Sequence, residues 1–307
     1  MTAVTKTTGS GTYGDGVAVV TVTYSPGRTL ERFIETLAKS TTRQLRVVLA
    51  DNGSTDGTPE LAAERDGVVL VRMGENLGYG AAANKVVFGL DDSVGWVVVA
   101  NPDLEWGSDA LDRLLEATER WPAAATFGPL ITDPHGAVYP SARSLPTLAS
   151  GIGHALFARL WPANPWTRAY RQEDVAPAER ATGWLSGSCL LLRREAFEAV
   201  QGFDPRYFMY FEDVDLGDRL GRAGWLNVYV PSAQVMHVGG HATTRVSRRM
   251  LATHHASAYR YLTDRYPRAY WKPILAAVRL GLAIRLRMAS RAPYPHTTTS
   301  VARDVVE

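Results

Sequence analysis

The sequence predicts an α/β protein, with a mostly parallel sheet flanked by helices and further helices at the C-terminus. Three observations predict it. β-Branched and apolar runs recur through the first half, at Val17–Thr23, Leu45–Ala50, Val68–Val71 and Trp96–Ala100. Helix-patterned segments follow them. Turn-rich runs close two of the strands, Asp51-Asn52-Gly53-Ser54 and Asn101-Pro102-Asp103. Strands alternating with helices imply parallel pairing, and ligands then bind at the carboxyl ends of the strands.

The elements follow in order. Residues 1–15 are small and polar and are expected to be disordered. After the first strand, Ser25-Pro26-Gly27 turns the chain into a helix over Thr29–Lys39. The run from Asp51 to Thr58 contains a helix start, and Gly74–Gly80 leads into a small-residue helix, Ala81–Leu90. Ser108–Arg120 reads as a helix with Ser108 as its N-cap. Ala123–Leu130 reads as a strand, His135–Arg143 as a hairpin or loop excursion, and 144–180 as a long loop region with short helices. Trp184–Leu192 is expected to be one strand and Glu195–Val200 a short helix. A helix from about Glu212 to Arg222 ends at Gly224. Asn227–Val230 and Gln234–His237 look like two short strands, and Arg248–Arg265 and Lys272–Ala289 like helices. The expected division is 16–245 as the main domain, 246–292 as a basic helical segment and 293–307 as a flexible tail.

Charge is unevenly spread. Residues 245–291 hold eleven Lys/Arg against one acid, Asp264, a balance of +10. With the total at +2 and residues 292–307 at −1, residues 1–244 carry −7. An acidic body with a basic end suggests an anionic surface as a partner of that end. The last helix carries an apolar stripe of Trp271, Ile274, Leu275, Val278, Leu282 and Leu286, interrupted by Arg285. Two readings stand open: a helix lying on an anionic membrane, or one packed on the body or on a second subunit as a homodimer contact. The acidic body argues against nucleic acid as a partner. A single cysteine, Cys189, excludes an internal disulfide and fits a reducing compartment. No apolar leader and no run of about 18 apolar residues occurs, so a cytoplasmic location is expected.

Acids stand at turns. Asp51 can accept a hydrogen bond from a base or ribose, and Asp103 can coordinate a hard cation through oxygen. Because Asp51 and Asp103 follow strands of one sheet, they open onto one rim. No Gly-x-x-x-x-Gly-Lys-Ser/Thr loop is present, which excludes a P-loop enzyme. In Phe203–Arg219 five aromatic residues lead into Glu212, Asp213 and Asp215. The stretch reads either as an acidic cluster on the wall of an apolar pocket, with a general base, or as a packed turn before an acid-rich first helical turn.

The order of motifs resembles the family 2 glycosyltransferases, which have the GT-A fold. The matching runs are Asp51–Thr58, Asn76–Asn84, Asn101-Pro102-Asp103, Trp184–Arg194, Gly202-Phe203-Asp204, Tyr210–Leu216 and His237–Gly240. The resemblance spans residues 16–245 and leans toward bacterial rhamnosyltransferases. It implies an inverting transfer of L-rhamnose from dTDP-L-rhamnose to a lipid-linked N-acetylglucosamine in cell-wall biosynthesis. It assigns Asp213 as the base and Glu212 as its positioning neighbour. Asp51, Asn52, Ser54, Asn76 and Asn101 fall on the nucleotide side. Asp103 and His237 would hold a divalent cation, Mg2+ or Mn2+. His237 also reads as a structural histidine at a strand end. Asn101 departs from the family's Asp-x-Asp, and an amide oxygen brings less charge to a metal. A polyprenyl-diphosphate acceptor would be met at the inner face of the plasma membrane. UDP-galactofuranose or UDP-N-acetylglucosamine as donor, or a nucleotide-sugar-binding protein without turnover, are the alternatives. The Gln-x-x-Arg-Trp motif of processive synthases is absent, which favours one sugar per encounter.

Overall fold

The computed structural model describes residues 13–148, 177–239 and 248–289. Residues 1–12 of the expected disordered start, most of the 144–180 loop region and the tail 293–307 lie outside them. Tyr13–Asp15 depart from the expected disorder. The Tyr13 hydroxyl donates to Glu198, Arg194 stacks on its ring, and the Gly14 N–H donates to the Asp92 carbonyl at 2.8 Å.

The chain divides into two units, residues 1–245 and 246–307. The first is built on a mixed sheet. Strands β1 (Gly16–Thr23), β2 (Arg46–Asp51), β3 (Val68–Arg72) and β4 (Val94–Ala100) pair in parallel in the order β3-β2-β1-β4. β5 (Leu104–Trp106), β6 (Ala124–Thr132), β11 (Cys189–Arg193) and β12 (Leu226–His237) continue the sheet as β11-β6-β12-β5. β11 runs antiparallel to both neighbours, and β12 lies parallel to β6. β7 (Val138–Tyr139) forms the excursion against β6, and β9 (Arg180–Thr182) borders β12. β8 (Ala142–Arg143) and β10 (Trp184–Leu185) make a separate two-stranded ribbon.

Both faces of the sheet are covered. Val17 and Val19 of β1 pack with α1 (Thr29–Leu37), α2 (Thr58–Ala62) and α4 (Ala110–Arg120) on one side. Ala18 and Val20 pack with α3 (Tyr79–Val87), α5 (Arg194–Ala199) and α6 (Glu212–Arg222) on the other. This two-sided burial is why these strands read as unbroken apolar runs rather than as alternation. Cys189 is buried in this core, and burial raises its thiol pKa.

Some expectations are corrected. The expected strand Trp184–Leu192 is two strands separated by Ser186-Gly187-Ser188. The two expected strands after Asn227 are one, with a register shift between Val230 and Gln234. Asp109, at φ 58°, occupies the N-cap position of α4 in place of Ser108 and makes no side-chain cap bond.

The second unit contains α7 (Arg248–Arg265) and α8 (Lys272–Ala289). Of the two readings left open for the last helix's stripe, packing describes most of it. Leu275 is buried, and Trp271, Val278, Leu282 and Leu286 are half-buried. Trp271 packs edge-on against Tyr266 at 5.1 Å, while Ile274 is exposed. Apolar side chains are driven against the neighbouring helix before any outside surface is available.

Candidate active site

The carboxyl ends of β1, β2 and β4 form one rim. Parallel register sets Thr23 beside Asp51, and the Thr23 hydroxyl donates to Asp51 Oδ1 at 2.9 Å. The Ser54 N–H lies 3.2 and 3.3 Å from the two carboxylate oxygens, and its hydroxyl donates to Oδ1. Asp51 is thus a buried carboxylate fixed by its own strand neighbour and turn. Hydrogen bonds converge on Oδ1, which leaves capacity on Oδ2 for a ligand donor. Asn52 is placed differently. Its Nδ2 donates to the Gly78 carbonyl at 3.1 Å, and its Oδ1 accepts the Leu77 N–H at 3.3 Å. Asn76, on the exposed side, accepts the Gly78 N–H at 3.0 Å. Both amides brace the 76–78 turn. Gly78 is required there: its φ is +85°, and a Cβ would stand 2.3 Å from the Phe208 carbonyl oxygen.

Next along the rim, Asn101 is half-buried and donates its backbone N–H to the Ser188 carbonyl at 2.9 Å. Asp103 follows β4, and the short β5 pairs with the end of β12, setting His237 opposite Leu104. His237 Nε2 consequently lies 3.0 Å from Asp103 Oδ1. Among the described residues no third His, Cys, Asp or Glu joins them. One carboxylate and one imidazole fit a divalent ion that takes its other ligands from water and phosphate oxygens, as Mg2+ sites commonly do.

The Ser186-Gly187-Ser188 turn links this rim to α6. The Gly187 N–H donates to Asp213 Oδ2 at 2.8 Å, and the Val214 N–H donates to Oδ1 at 2.8 Å. The Tyr79 hydroxyl donates to the Gly187 carbonyl at 2.6 Å, and the Tyr79 N–H donates to the Phe208 carbonyl at 3.2 Å. Asn84 brackets Phe203, donating to its carbonyl at 2.7 Å and accepting its N–H at 2.9 Å. Tyr210 and Phe211 then both adopt left-handed backbone, at φ 69° and 68°. For such side chains this costs about 1–2 kcal/mol each. Buried Phe203 and Tyr207 anchor the stretch ahead of them, and the left-handed pair makes the abrupt entry into α6 that presents Glu212 and Asp213.

Burial pushes Glu212 up to about 8, and the charge of Asp213 adds to the effect. Glu212 Oε2 has no hydrogen-bond partner, and with no bond to stabilise a charge its burial favours the protonated form. Burial also raises Asp213, opposed by the Gly187 and Val214 N–H groups and by the charge of Arg143. Those two N–H bonds favour the ionised form, so within the pair Asp213 is the more readily ionised and Glu212 the one that keeps its proton longer. Asp215 stands apart, bound to Arg219 at 2.7 Å.

Of the residues predicted from sequence, Asp51, Asn101 and Asp103 follow strands of one sheet, Asp213 is tied to that edge through Gly187, and Asn52 and Asn76 brace the 76–78 turn. Thr23, Tyr79, Gly187 and Arg143 were not singled out as functional. Arg143 stacks on Trp184 at 5.6 Å. The glycines of Ser186-Gly187-Ser188 and Leu77-Gly78-Tyr79 were the available signal.

Comparisons with known proteins give the family. Residues 18–201 match Glycosyl transferase family 2, and residues 155–299 match Glycosyl transferase family group 2. An N-acetylglucosaminyl-diphospho-decaprenol L-rhamnosyltransferase from Mycobacterium tuberculosis is 53% identical over 91% of this chain and 94% of its own length. Rhamnosyltransferase WbbL from Escherichia coli is 38% identical over 28% of this chain and 32% of its own. The structure of a mannosyltransferase from Pyrobaculum calidifontis, solved with GDP-Man and Mn2+, superposes with a TM-score of 0.56 at 16% identity. It covers 92% of this chain and 77% of that one. The chain belongs to glycosyl transferase family 2 and has the GT-A fold.

Proposed function

We propose that the chain is an inverting rhamnosyltransferase. It moves L-rhamnose from dTDP-L-rhamnose to N-acetylglucosamine carried on a polyprenyl diphosphate, a step of cell-wall biosynthesis at the inner membrane face. The observation that supports the sugar and the acceptor is the 53% identity, across nearly the whole of both chains, with the rhamnosyltransferase of that acceptor class. The reaction is assigned to residues 16–245.

The roles follow the chemistry of the rim. Asp51 accepts the N3–H of the pyrimidine, with Ser54 and Thr23 holding its carboxylate. Asn101 lies beside the nucleotide, and Asn52 and Asn76 keep the adjoining turn in shape. Asp103 and His237 would hold Mg2+ or Mn2+, and the ion would supply positive charge to neutralise the diphosphate. Asp213 takes the proton of the acceptor hydroxyl as its oxygen bonds to the anomeric carbon. The bond from that carbon to the donor diphosphate breaks on the opposite face, and the diphosphate leaves with the electron pair. The hydroxyl becomes acidic only as the new bond forms, so a carboxylate is a sufficient base. Protonated Glu212 adds no second negative charge beside it and can donate a hydrogen bond to the acceptor or its loop.

Membranes bearing labelled lipid-linked N-acetylglucosamine, incubated with a panel of nucleotide sugars, test the proposal. Label should shift with dTDP-L-rhamnose. A shift with UDP-galactofuranose or UDP-N-acetylglucosamine in its place would overturn the donor assignment.

A further inference from the structure

α8 carries a second apolar face. Leu275, Val278, Leu282 and Leu286 are buried or half-buried. A different set, Ile274, Leu280, Ile284 and Met288, is 38%, 63%, 47% and 63% exposed. At about 100° per residue, this set centres about 140° round the helix from the inward one. Ala277 and Gly281 lie within the same sector, so it is continuous. Arg285 and Arg287 fall on its two edges, and both are exposed. α8 contains no acidic residue.

We propose that α8 lies in the interfacial plane of an anionic lipid bilayer through the Ile274–Leu280–Ile284–Met288 face. Arg285 and Arg287 then reach the headgroups while their stems rest on the acyl boundary. An apolar stripe edged by arginines matches such a surface, and acidic lipids attract basic segments. None of the described helices is long and apolar enough to cross a membrane, so the helix is suited to lying on it. A second copy is disfavoured as occupant, because residues 245–291 carry +10 and pairing would set arginine edges against each other. The inference adds a docking face to the lipid-acceptor reading, and vesicles free of acceptor test it apart from that reading.

The full chain should cosediment with mixed phosphatidylcholine–phosphatidylglycerol vesicles, weakly with phosphatidylcholine alone, and less at high salt. The double variant Leu280→Glu/Ile284→Glu should lower the partition about tenfold. Both side chains are exposed, so its melting temperature and its transfer to a water-soluble acceptor analogue should stay unchanged. Unchanged vesicle binding by the variant would overturn the proposal. So would absence of binding by the parent chain, equal binding to neutral vesicles, or a dimer on gel filtration that the variant abolishes.

Discussion

Replacing Glu212 with Gln tests the electrostatics of the site directly. Glu212 is 8% exposed, its Oε2 has no partner, and its pKa is pushed up to about 8 from an ordinary 4.5. Between those values the folded chain holds a proton that the unfolded chain has released. Stability therefore falls as pH rises through that window, with a limiting slope of about 1.4 kcal/mol per pH unit. By pH 7 the accumulated cost is about 3 kcal/mol. Gln keeps the shape and an N–H donor but does not titrate. The difference in unfolding free energy between Glu212→Gln and the parent should be near zero at pH 4.5. It should then rise to about 3 kcal/mol in favour of the variant at pH 7 and level off above pH 8. Urea unfolding at a series of pH values measures it. A difference that stays flat from pH 5 to 8 would show that Glu212 is ionised in the folded chain, and the acid/carboxylate division of the pair would be wrong.

Other predictions follow from the same contacts. Gly78→Ala should destabilise by about 2 kcal/mol or more, since φ is +85° and the Cβ would meet the Phe208 carbonyl; chemical denaturation checks it. Tyr79→Phe removes the bond to the Gly187 carbonyl and should cost about 1 kcal/mol. It should also lower kcat more than it raises KM for donor, because the turn that orients Asp213 loosens. Asp103→Ala should raise the Mn2+ concentration needed for half-maximal activity about tenfold or more, read from a metal titration.

The sequence marks the donor side of the site more clearly than its supports. Asp51 and Asp103 stand out because each follows a strand, and strand ends of one sheet share a rim. Thr23, Tyr79 and Gly187 do not stand out, because they act across the fold: Tyr79 and Gly187 are 108 residues apart in sequence. β1, β2 and β4 are legible because burial on both faces leaves apolar runs, while β3, a half-exposed edge strand, is legible from its β-branched Val68-Val69-Leu70-Val71 run alone. β5 is hidden, since three residues after a turn carry no period and only pairing with β12 defines them. The direction of β11 is likewise set by its neighbours and not by its own Leu190-Leu191-Leu192. In α8 the heptad-like stripe is real, but the sequence alone does not say which of two apolar faces a neighbouring helix covers.

The central claim is that Asp213 takes the acceptor proton. Asp213→Asn keeps the acceptor capacity for the Gly187 N–H but removes the base. Single-turnover transfer and donor binding, measured together on this variant, test the claim most directly. Transfer should fall about 100-fold or more, with the dissociation constant for dTDP-L-rhamnose changed less than about threefold. Transfer at the parent rate would contradict the assignment, and so would a loss of activity accounted for by lost donor binding.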